Sequence, residues 1–394
     1  MKQFFVRRVL PVVLTVARAV LPRRHSVFVV GYPPTEGNAV ETVRALLSRY
    51  DGTIWWAQAP SRDHLDAIGI TDRRRLRLVP KSSPLTMLRY AMAELVFFTH
   101  GLYGEPSATP RKPTVNLWHG AGMKFNVPLF PQRRLRSKPS DVVLAPSVVW
   151  GVRCAEASGL ATEDALLVGY PRNDQLFRPA GPAQLQRLGV TGDFVVWLPS
   201  FRRTAQHGTM RAQSDAGDAA SDEALARDFA TVVEILAAAG FQVVVKPHPL
   251  DATARATPGA VIIDDEQLAA AGIPLYTVLG AAAGLITDVS SVGSDFLLLD
   301  RPIGYFFPDR EAYLSGRGVY PDDALEWLPG PQLDSSEQVA AFARSLRSET
   351  AAERERRHAT VLRAGLVHTT TAADDMLSAL RERFPALTDR ISAR

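Results

Sequence analysis

The sequence predicts an α/β protein with two doubly wound halves. Short apolar runs rich in β-branched residues alternate with amphipathic stretches of helical period, which is typical of βαβ units and a mostly parallel sheet. The chain of 394 residues is also too long for one ordinary core and fits two domains. Residues 178–182, Arg-Pro-Ala-Gly-Pro, interrupt the alternation and indicate a hinge between two Rossmann-like halves.

The elements follow from the apolar pattern. In the first half, strands are predicted at residues 27–30, 53–56, 95–99, 115–118 and 142–144, with helices at 40–47 and 84–92. In the second half, strands are predicted at residues 194–198, 241–245, 261–263, 284–287 and 303–307, and the chain is predicted to be helical from residue 336. Residues 204–221 are small and polar, which indicates a loop that is either a lid or an inert insertion.

Four segments result from this pattern. They are a basic amphipathic segment at 1–25, a first Rossmann-like domain at 26–178, a second at 183–335, and C-terminal helices at 336–394 that pack on the domains. Hydrophobic content of 46% and charged content of 22% predict a folded protein rather than a disordered one.

Composition also excludes several classes of function. The single cysteine, Cys154, cannot form an internal disulfide or a cysteine metal cluster, which suits a reducing compartment and a buried core position. The net charge of +4 comes from 45 basic residues scattered among 41 acidic ones, so no nucleic-acid partner is expected.

The N-terminal segment is apolar between basic residues. The uncharged run at residues 9–17 is about half of the roughly 20 residues needed to span a bilayer, and Pro11 interrupts it. We expect it to lie against an anionic membrane surface, at the cytoplasmic face of the cell membrane, as a peripheral attachment. A secretory signal ending at Ala17-Arg18-Ala19 and an ordinary packed helix are the alternatives.

Polar residues follow three predicted strands, and ligands of open α/β sheets bind beyond the carboxyl ends of strands. In the first half, strand 115–118 leads into His119, two glycines and Lys124. In the second half, strand 241–245 leads into Lys246 and then into His248, and a proline stands on each side of His248. Each histidine alone is more often a structural residue, but one per half at a strand exit favours a cleft site.

The third strand end is a turn that leads from Thr287 and Asp288 through Ser290 and Ser291 into an apolar helix. Free backbone N–H groups and hydroxyls at a helix N-terminus suit a phosphate. The competing interpretation is that a serine merely caps the helix.

A histidine with an ordinary pKa near 6.5 can take a proton from an attacking hydroxyl at neutral pH. A second histidine, a lysine and a helix N-terminus can hold a diphosphate and offset charge on a departing phosphate. The residues therefore favour phosphoryl or glycosyl transfer from a nucleotide-linked donor. We expect no metal site and no cofactor, because the sequence has no metal-ligand spacing, no Walker loop and no Gly-x-Gly-x-x-Gly fingerprint.

Five motifs in order resemble those of the CDP-glycerol glycerophosphotransferases, which build teichoic acids and related capsular polymers. The motifs are Asn-Leu-Trp-His-Gly at 116–120 with Lys124, Val-Gly-Tyr-Pro-Arg-Asn-Asp at 168–174, Pro-Ser-Phe-Arg at 199–202, Lys-Pro-His-Pro at 246–249, and residues 286–299 with Arg301-Pro302. The resemblance implies a GT-B-like fold of two facing Rossmann-like domains, with the acceptor on the N-terminal domain, the donor nucleotide on the C-terminal one, and no required metal.

The resemblance also implies roles. It makes His119 the base for the acceptor hydroxyl and His248 the second catalytic histidine. It places donor binding at Lys246, Thr287, Asp288, Ser290, Ser291 and Arg202, and the acceptor side at Trp118, Gly120, Lys124, Asn173 and Asp174. The expected partners are CDP-glycerol or a similar donor, which is a substrate rather than a cofactor, and a lipid-linked or polymeric glycan acceptor. CMP would leave.

The chain departs from the family pattern at two places. Ala121-Gly122 stands where many relatives have Thr-Pro. Residues 368–372, His-Thr-Thr-Thr-Ala, stand where the family has Asp-Gly followed by Ser-Glu-Arg, which helps to hold the donor phosphate, and whether residues 368–371 take over that contact stays open. The polyol, the acceptor and the choice between one addition and polymerisation therefore stay open. A GT-B glycosyltransferase that uses a nucleotide sugar, or a non-catalytic protein that binds an envelope intermediate, are the alternative functions.

Overall fold

The computed structural model describes residues 9–103, 112–123, 140–199, 205–206, 209–210, 219–247, 258–308, 310–316, 318–387 and 389–393. The chain divides into two compact units. Unit 1 takes its described residues from Met1–Ala121, Asn126–Gln175 and Ala364–Arg394, and unit 2 takes its own from Gly122–Phe125 and Leu176–Arg363. The last helix of the chain therefore belongs to the same unit as the first strand.

The elements are numbered in chain order. The strands are β1 Arg24–Val30, β2 Thr53–Ala57, β3 Leu76–Val79, β4 Ala93–Phe98, β5 Thr114–Asn116, β6 Val142–Ala145, β7 Ala165–Leu167, β8 Phe194–Leu198, β9 Ala205–Gln206, β10 Thr209–Met210, β11 Gln242–Val245, β12 Val261–Ile262, β13 Gly284–Thr287 and β14 Ile303–Tyr305. The helices are α1 Leu10–Val20, α2 Gly37–Arg49, α3 Arg62–Ala67, α4 Pro84–Met92, α5 Val148–Ala157, α6 Pro182–Arg187, α7 Ala219–Ala238, α8 Asp265–Ala271, α9 Leu275–Ala281, α10 Ser291–Phe296, α11 Arg310–Gly316, α12 Ser336–Ser345, α13 Ala351–Ala364 and α14 Ala372–Arg383.

Unit 1 is built on a parallel sheet of seven strands in the order β3-β2-β1-β4-β5-β6-β7. The inner strands are buried along their length, as β4 shows, because helices cover both faces of a parallel sheet. The strand order reverses between β1 and β4. The carboxyl ends of these two strands therefore form the topological switch point, where open α/β sheets bind their ligands.

Unit 2 repeats the plan with a parallel sheet in the order β12-β11-β8-β13-β14. Its switch point lies between β8 and β13. The core of the unit joins strand residues to α7 and α12, with Trp197 stacked on Phe229 at 4.2 Å between ring centroids. These aromatic contacts pack α7 and α12 against one face of the sheet and so stabilise the strands from which the turns at the carboxyl ends extend.

Local sequence explains where several helices start. The side chains of Ser61, Ser147, Asp264 and Ser335 each accept a hydrogen bond from a backbone N–H in the first turn of α3, α5, α8 and α12. Helices α4 and α6 instead begin with proline, whose missing N–H costs nothing at that position.

The predicted strands and helices of both halves are present, with ends shifted by a few residues. Strands β3 and β7 were not predicted, because each is short and only partly buried and so lacks a strong apolar run. The predicted loop at 204–221 is wrong in part. It contains the antiparallel pair β9 and β10, and α7 begins inside it at Ala219.

The N-terminal helix needs another correction. Arg18, a basic residue of the segment expected to lie against the membrane, is buried in α1 and donates to the carbonyl oxygens of Tyr90 and Lys112 at 2.9 Å and 2.6 Å. Leu10 and Leu14 are buried on the same helix, whereas four valines of α1 are exposed. One face of α1 is therefore part of unit 1. Among the described residues, no helix combines the length and the apolar character that crossing a bilayer would require.

Candidate active site

The switch point of unit 1 carries an aromatic and histidine cluster. Tyr32 follows β1, Thr99 and His100 follow β4, and Trp118 and His119 follow β5. We call these five residues the histidine edge. Because β1, β4 and β5 are neighbours and parallel, their carboxyl ends bring the five residues together.

His119 is in contact with two aromatic rings. Its ring centroid lies 4.7 Å from that of Trp118 and 4.8 Å from that of His100, with interplanar angles of 29° and 28°. His119 is exposed at the surface, so a substrate hydroxyl can reach it. His100 was missed in the sequence. Its position directly after an apolar strand was the signal that could have identified it.

The backbone around His119 is fixed by hydrogen bonds. Trp118 has a φ of 56°, unusual for a bulky residue, and Gly120 has a φ of 137°, which favours glycine. The side chain of Asn116 accepts from the Trp118 N–H at 2.9 Å, and Asn38 donates to the Trp118 carbonyl at 3.3 Å. These contacts hold a strained conformation of the kind that functional sites often retain.

Arg172 also supports the backbone at His119. Its guanidinium donates to the His119 carbonyl oxygen at 2.8 Å, and its own N–H donates to the Asn38 side chain at 3.0 Å. Gly37 is required here because a Cβ on it would lie 2.8 Å from the Arg172 Cβ. Arg172 therefore links the start of α2 to the loop that carries His119.

The surroundings keep His119 neutral. Partial desolvation of the ring by the protein atoms around it, followed by the positive charges of His100 and Arg172, lowers the pKa of His119 from 6.5 to about 4. Burial and the charge of Lys81 also lower the pKa of His100. Burial raises the pKa of Glu36, at the N-terminus of α2, against the opposing effect of Arg172. The histidine edge thus presents an unprotonated imidazole near neutral pH.

Asn173 and Asp174 lie in a buried 3₁₀ turn, Pro171–Gln175. The two Asp174 oxygens accept from the backbone N–H groups of Ala372 and Ala373 at 2.6 Å and 3.1 Å. Thr371, the N-cap residue of α14, makes no side-chain capping bond. Asp174 therefore caps α14 from a position distant in sequence, which gives this predicted acceptor-side residue a structural task.

The switch point of unit 2 carries the turn that leads from Thr287 to Ser291, which we call the serine turn. The Thr287 hydroxyl is buried and donates to the Leu198 carbonyl at 3.1 Å. Asp288 accepts from the Ser290 N–H at 3.0 Å and so shapes the turn. Ser290 is the N-cap of α10 but makes no side-chain capping bond. Ser290 therefore occupies the predicted cap position, but its hydroxyl does not make the capping hydrogen bond.

Gly122 lies against the serine turn within unit 2. A Cβ built on Gly122 would lie 2.8 Å from Ser294 Oγ and 3.1 Å from Ser291 Cα. Close packing thus favours glycine at this position, because an added Cβ would require the Ser294 side chain and the backbone at Ser291 to shift.

The remaining predicted donor residues are only partly described. Lys246 follows β11 and forms an ion pair with Asp265 at 2.9 Å, at the start of α8. Arg202, His248 and Lys124 lie outside the described residues. The expectation that His119 and His248 meet in one crevice therefore stays a prediction.

Unit 2 also has a separate cleft of about 810 Å³, lined by residues such as Phe306, Phe307, Arg310 and Asp334. None of the predicted donor residues that the structure describes (Lys246, Thr287, Asp288, Ser290 and Ser291) lines it, so we do not place the reaction there. Within the described part of the chain, no group of three or more His, Cys, Asp or Glu side chains is placed to hold a metal ion.

Three comparisons bear on identity. A family model described as CDP-glycerol:poly(glycerophosphate) glycerophosphotransferase matches residues 40–366. The teichoic acid ribitol-phosphate primase of Bacillus spizizenii is 36% identical over 83 residues. That match covers 21% of this chain and 20% of the primase, so the chain spans only about a fifth of this curated relative.

Solved structures agree in fold. The wall teichoic acid polymerase TagF is similar with a TM-score of 0.67 and 17% identity, over 95% of this chain and 93% of that chain. S. aureus MnaA, in a co-structure with UDP, is similar with a TM-score of 0.53 and 12% identity, over 94% and 99% of the two chains. The predicted α/β, GT-B-like fold class is thereby confirmed.

Proposed function

Because the chain belongs to the CDP-glycerol:poly(glycerophosphate) glycerophosphotransferase family, we propose that it transfers glycerol phosphate, or another polyol phosphate, from a CDP-linked donor to a hydroxyl of a lipid-linked or polymeric cell-envelope glycan. In this reaction the hydroxyl oxygen attacks the phosphorus that carries the polyol. The bond from that phosphorus to the bridging oxygen breaks, and CMP leaves. The observation that carries the proposal is the neutral, exposed His119 at the switch point of unit 1, inside the family's Trp-His-Gly motif.

His119 acts as the general base in this proposal. A base must be unprotonated before the reaction, and a pKa lowered to about 4 ensures this near neutral pH. The Arg172 bond to the His119 carbonyl and the stacked rings fix the imidazole, which limits the reorganisation needed to accept the hydroxyl proton.

Donor binding is assigned to the serine turn. The Ser290 hydroxyl is not used to cap α10 and is partly exposed, as is Ser291, so both can donate to diphosphate oxygens. Lys246 supplies a positive charge at the carboxyl end of β11, which is separated from β13 by β8, and Asp265 pairs with it at 2.9 Å. We assign charge stabilisation on the departing CMP to His248 and nucleotide contact to Arg202, on the strength of the family motifs.

We further propose that the protein attaches to the cytoplasmic face of the cell membrane through α1. Val12, Val13, Val16 and Val20 are between 51% and 73% exposed on α1, and Leu85 and Leu88 are exposed on α4, which packs against α1. Isolated exposed apolar residues are ordinary, but six on two adjoining helices suit an interface with acyl chains. Such attachment would bring the enzyme to a lipid-linked acceptor.

The direct test is CMP release. The full-length protein, incubated with CDP-glycerol and extracted bacterial membranes, should release CMP, and mass spectrometry should show an added glycerol phosphate on the acceptor. His119→Ala should lower turnover by roughly 10² to 10⁴, the usual contribution of a general base. His358→Ala is the matched control, because this exposed histidine in unit 2 pairs only with the partly exposed Asp300 at 3.1 Å.

If no CDP-alcohol gives CMP above background, the donor assignment is wrong. A thermal shift with UDP or GDP instead of CMP or CDP would favour a glycosyltransferase that uses a nucleotide sugar. Full complementation in cells by His119→Ala would favour a non-catalytic binding role.

A further inference from the structure

His100 lies at the carboxyl edge of the sheet in direct contact with His119. It directly follows β4 at the switch point of unit 1, it is exposed, and its ring is stacked on that of His119 at 4.8 Å and 28°. Tyr32 presents its ring at a steep angle to His100, 6.0 Å away between centroids. Two imidazoles in face-to-face contact are a pair that must titrate together.

Hydrogen bonds set the orientation of His100. The Thr99 hydroxyl oxygen accepts from the Tyr32 N–H at 3.1 Å and lies 3.1 Å from Nδ1 of His100. The hydroxyl proton can then be donated to Nδ1, which places the proton of the neutral ring on Nε2. His100 is thus anchored from β1 and β4, independently of the loop that carries His119.

The charges around the pair are mostly positive. Lys81 acts on His100, and Arg172 acts on His119, while burial raises the pKa of Glu36 and so opposes a negative charge on its carboxyl group. Two stacked imidazolium rings in this environment would repel each other strongly. The pair therefore accepts one proton far more readily than two.

We propose that His100 is a positioning residue for His119: its stacked neutral ring fixes the plane of the base while His119 accepts the acceptor's proton. The proposal rests on the proposed function of His119 as general base. No proton passes between the two rings. After His119 takes the hydroxyl proton, the neutral face of His100 stabilises the new imidazolium by stacking.

The test uses two substitutions in the full-length protein. His100→Phe keeps a flat ring that can stack but removes the charge, whereas His100→Ala removes both. The titration of His119 is followed by NMR of its imidazole, assigned with His119→Asn, and kcat/KM for CMP release is measured over the same pH range. Melting curves confirm that both variants fold, which the exposure of His100 favours.

In both variants the midpoint of His119 should rise by roughly half to one pH unit, because a nearby positive charge is lost. It should stay below 6.5, since burial is the larger cause of the lowered pKa. At pH 7.5, His100→Phe should keep kcat within about threefold, and His100→Ala should lose roughly tenfold because the base is less well oriented.

An unchanged His119 midpoint in both variants, with equal rates, would overturn the proposal. The NMR titration requires no turnover. A shifted midpoint in a protein that releases no CMP therefore supports the pairing and rejects the transferase function. A wild-type protein that turns over without any shift in the variants rejects the pairing alone.

Discussion

Asp174 offers a sharp test of how the Tyr-Pro-Arg-Asn-Asp motif works. Its carboxylate is buried and accepts from the first two N–H groups of α14, at 2.6 Å and 3.1 Å, almost two hundred residues along the chain. Asp174→Ala removes both acceptors and leaves two buried N–H groups unsatisfied. Asp174→Asn keeps one acceptor oxygen but loses the negative charge at the helix N-terminus.

The expected cost follows from these contacts. Loss of a good N-cap costs about 0.5 to 2 kcal/mol, and each buried N–H left without a partner costs about 1 to 3 kcal/mol. Both costs arise partly from the same lost hydrogen bonds and cannot simply be added. We therefore expect Asp174→Ala to lower the free energy of unfolding by about 2 to 4 kcal/mol, and Asp174→Asn by about half of that. For a folding unit of this size, 1 kcal/mol lowers Tm by about 2 to 4 °C.

Urea unfolding and calorimetry measure the effect, with Asp66→Ala as control. Asp66 is 48% exposed in its ion pair with Arg73, so its loss should change stability by no more than about 0.5 kcal/mol. If Asp174→Ala melts like wild type but raises the acceptor KM, the carboxylate contacts the acceptor and the capping argument is wrong.

Three further outcomes are expected. Because the base works unprotonated, kcat/KM should stay near its plateau at pH 5.5, where a histidine of pKa about 4 is about 97% neutral and one of pKa 6.5 is about a tenth neutral. An acid limb centred at pH 6.5 would contradict the lowered pKa of His119. Gly122→Ala should raise the donor KM roughly 3- to 30-fold by displacing the serine turn. Gly181→Ala is the control and should leave the donor KM unchanged, because the nearest atom lies 3.8 Å from the added Cβ. Equal donor KM values for the two variants would refute the contact between Gly122 and the serine turn. Val16→Glu should weaken binding to phosphatidylglycerol vesicles by about tenfold without lowering Tm, since Val16 is 54% exposed; unchanged binding would remove α1 from the membrane contact.

The sequence predicted the sheets well because their strands are buried on both faces. Strand β8 and strand β13 have the predicted bounds, since continuous apolar runs end at clear polar residues. Short edge strands such as β3 and β7 lack that signal. Helix α1 was only half predicted, because the partner that buries Arg18 lies more than seventy residues away in sequence.

The site could be predicted only in part for a similar reason. His119, Asp288 and Ser290 follow strands and were identified by that position. The capping of α14 by Asp174 and the support of His119 by Arg172 depend on contacts between distant segments. Local sequence carries no record of such contacts, so Asp174 resembled a ligand contact and Arg172 was given no role before the fold was known.

Position in the sheet also separates two histidine clusters that hydrogen bonding alone would confuse. His25 lies 2.8 Å from Glu94 and 2.6 Å from Asp51, and Tyr50 donates to Glu94 at 2.6 Å, an arrangement that looks like a proton relay. Yet His25 and Glu94 lie at the amino-terminal ends of β1 and β4, away from the edge where doubly wound sheets bind ligands. His119 lies at the carboxyl edge instead, and its surroundings disfavour protonation.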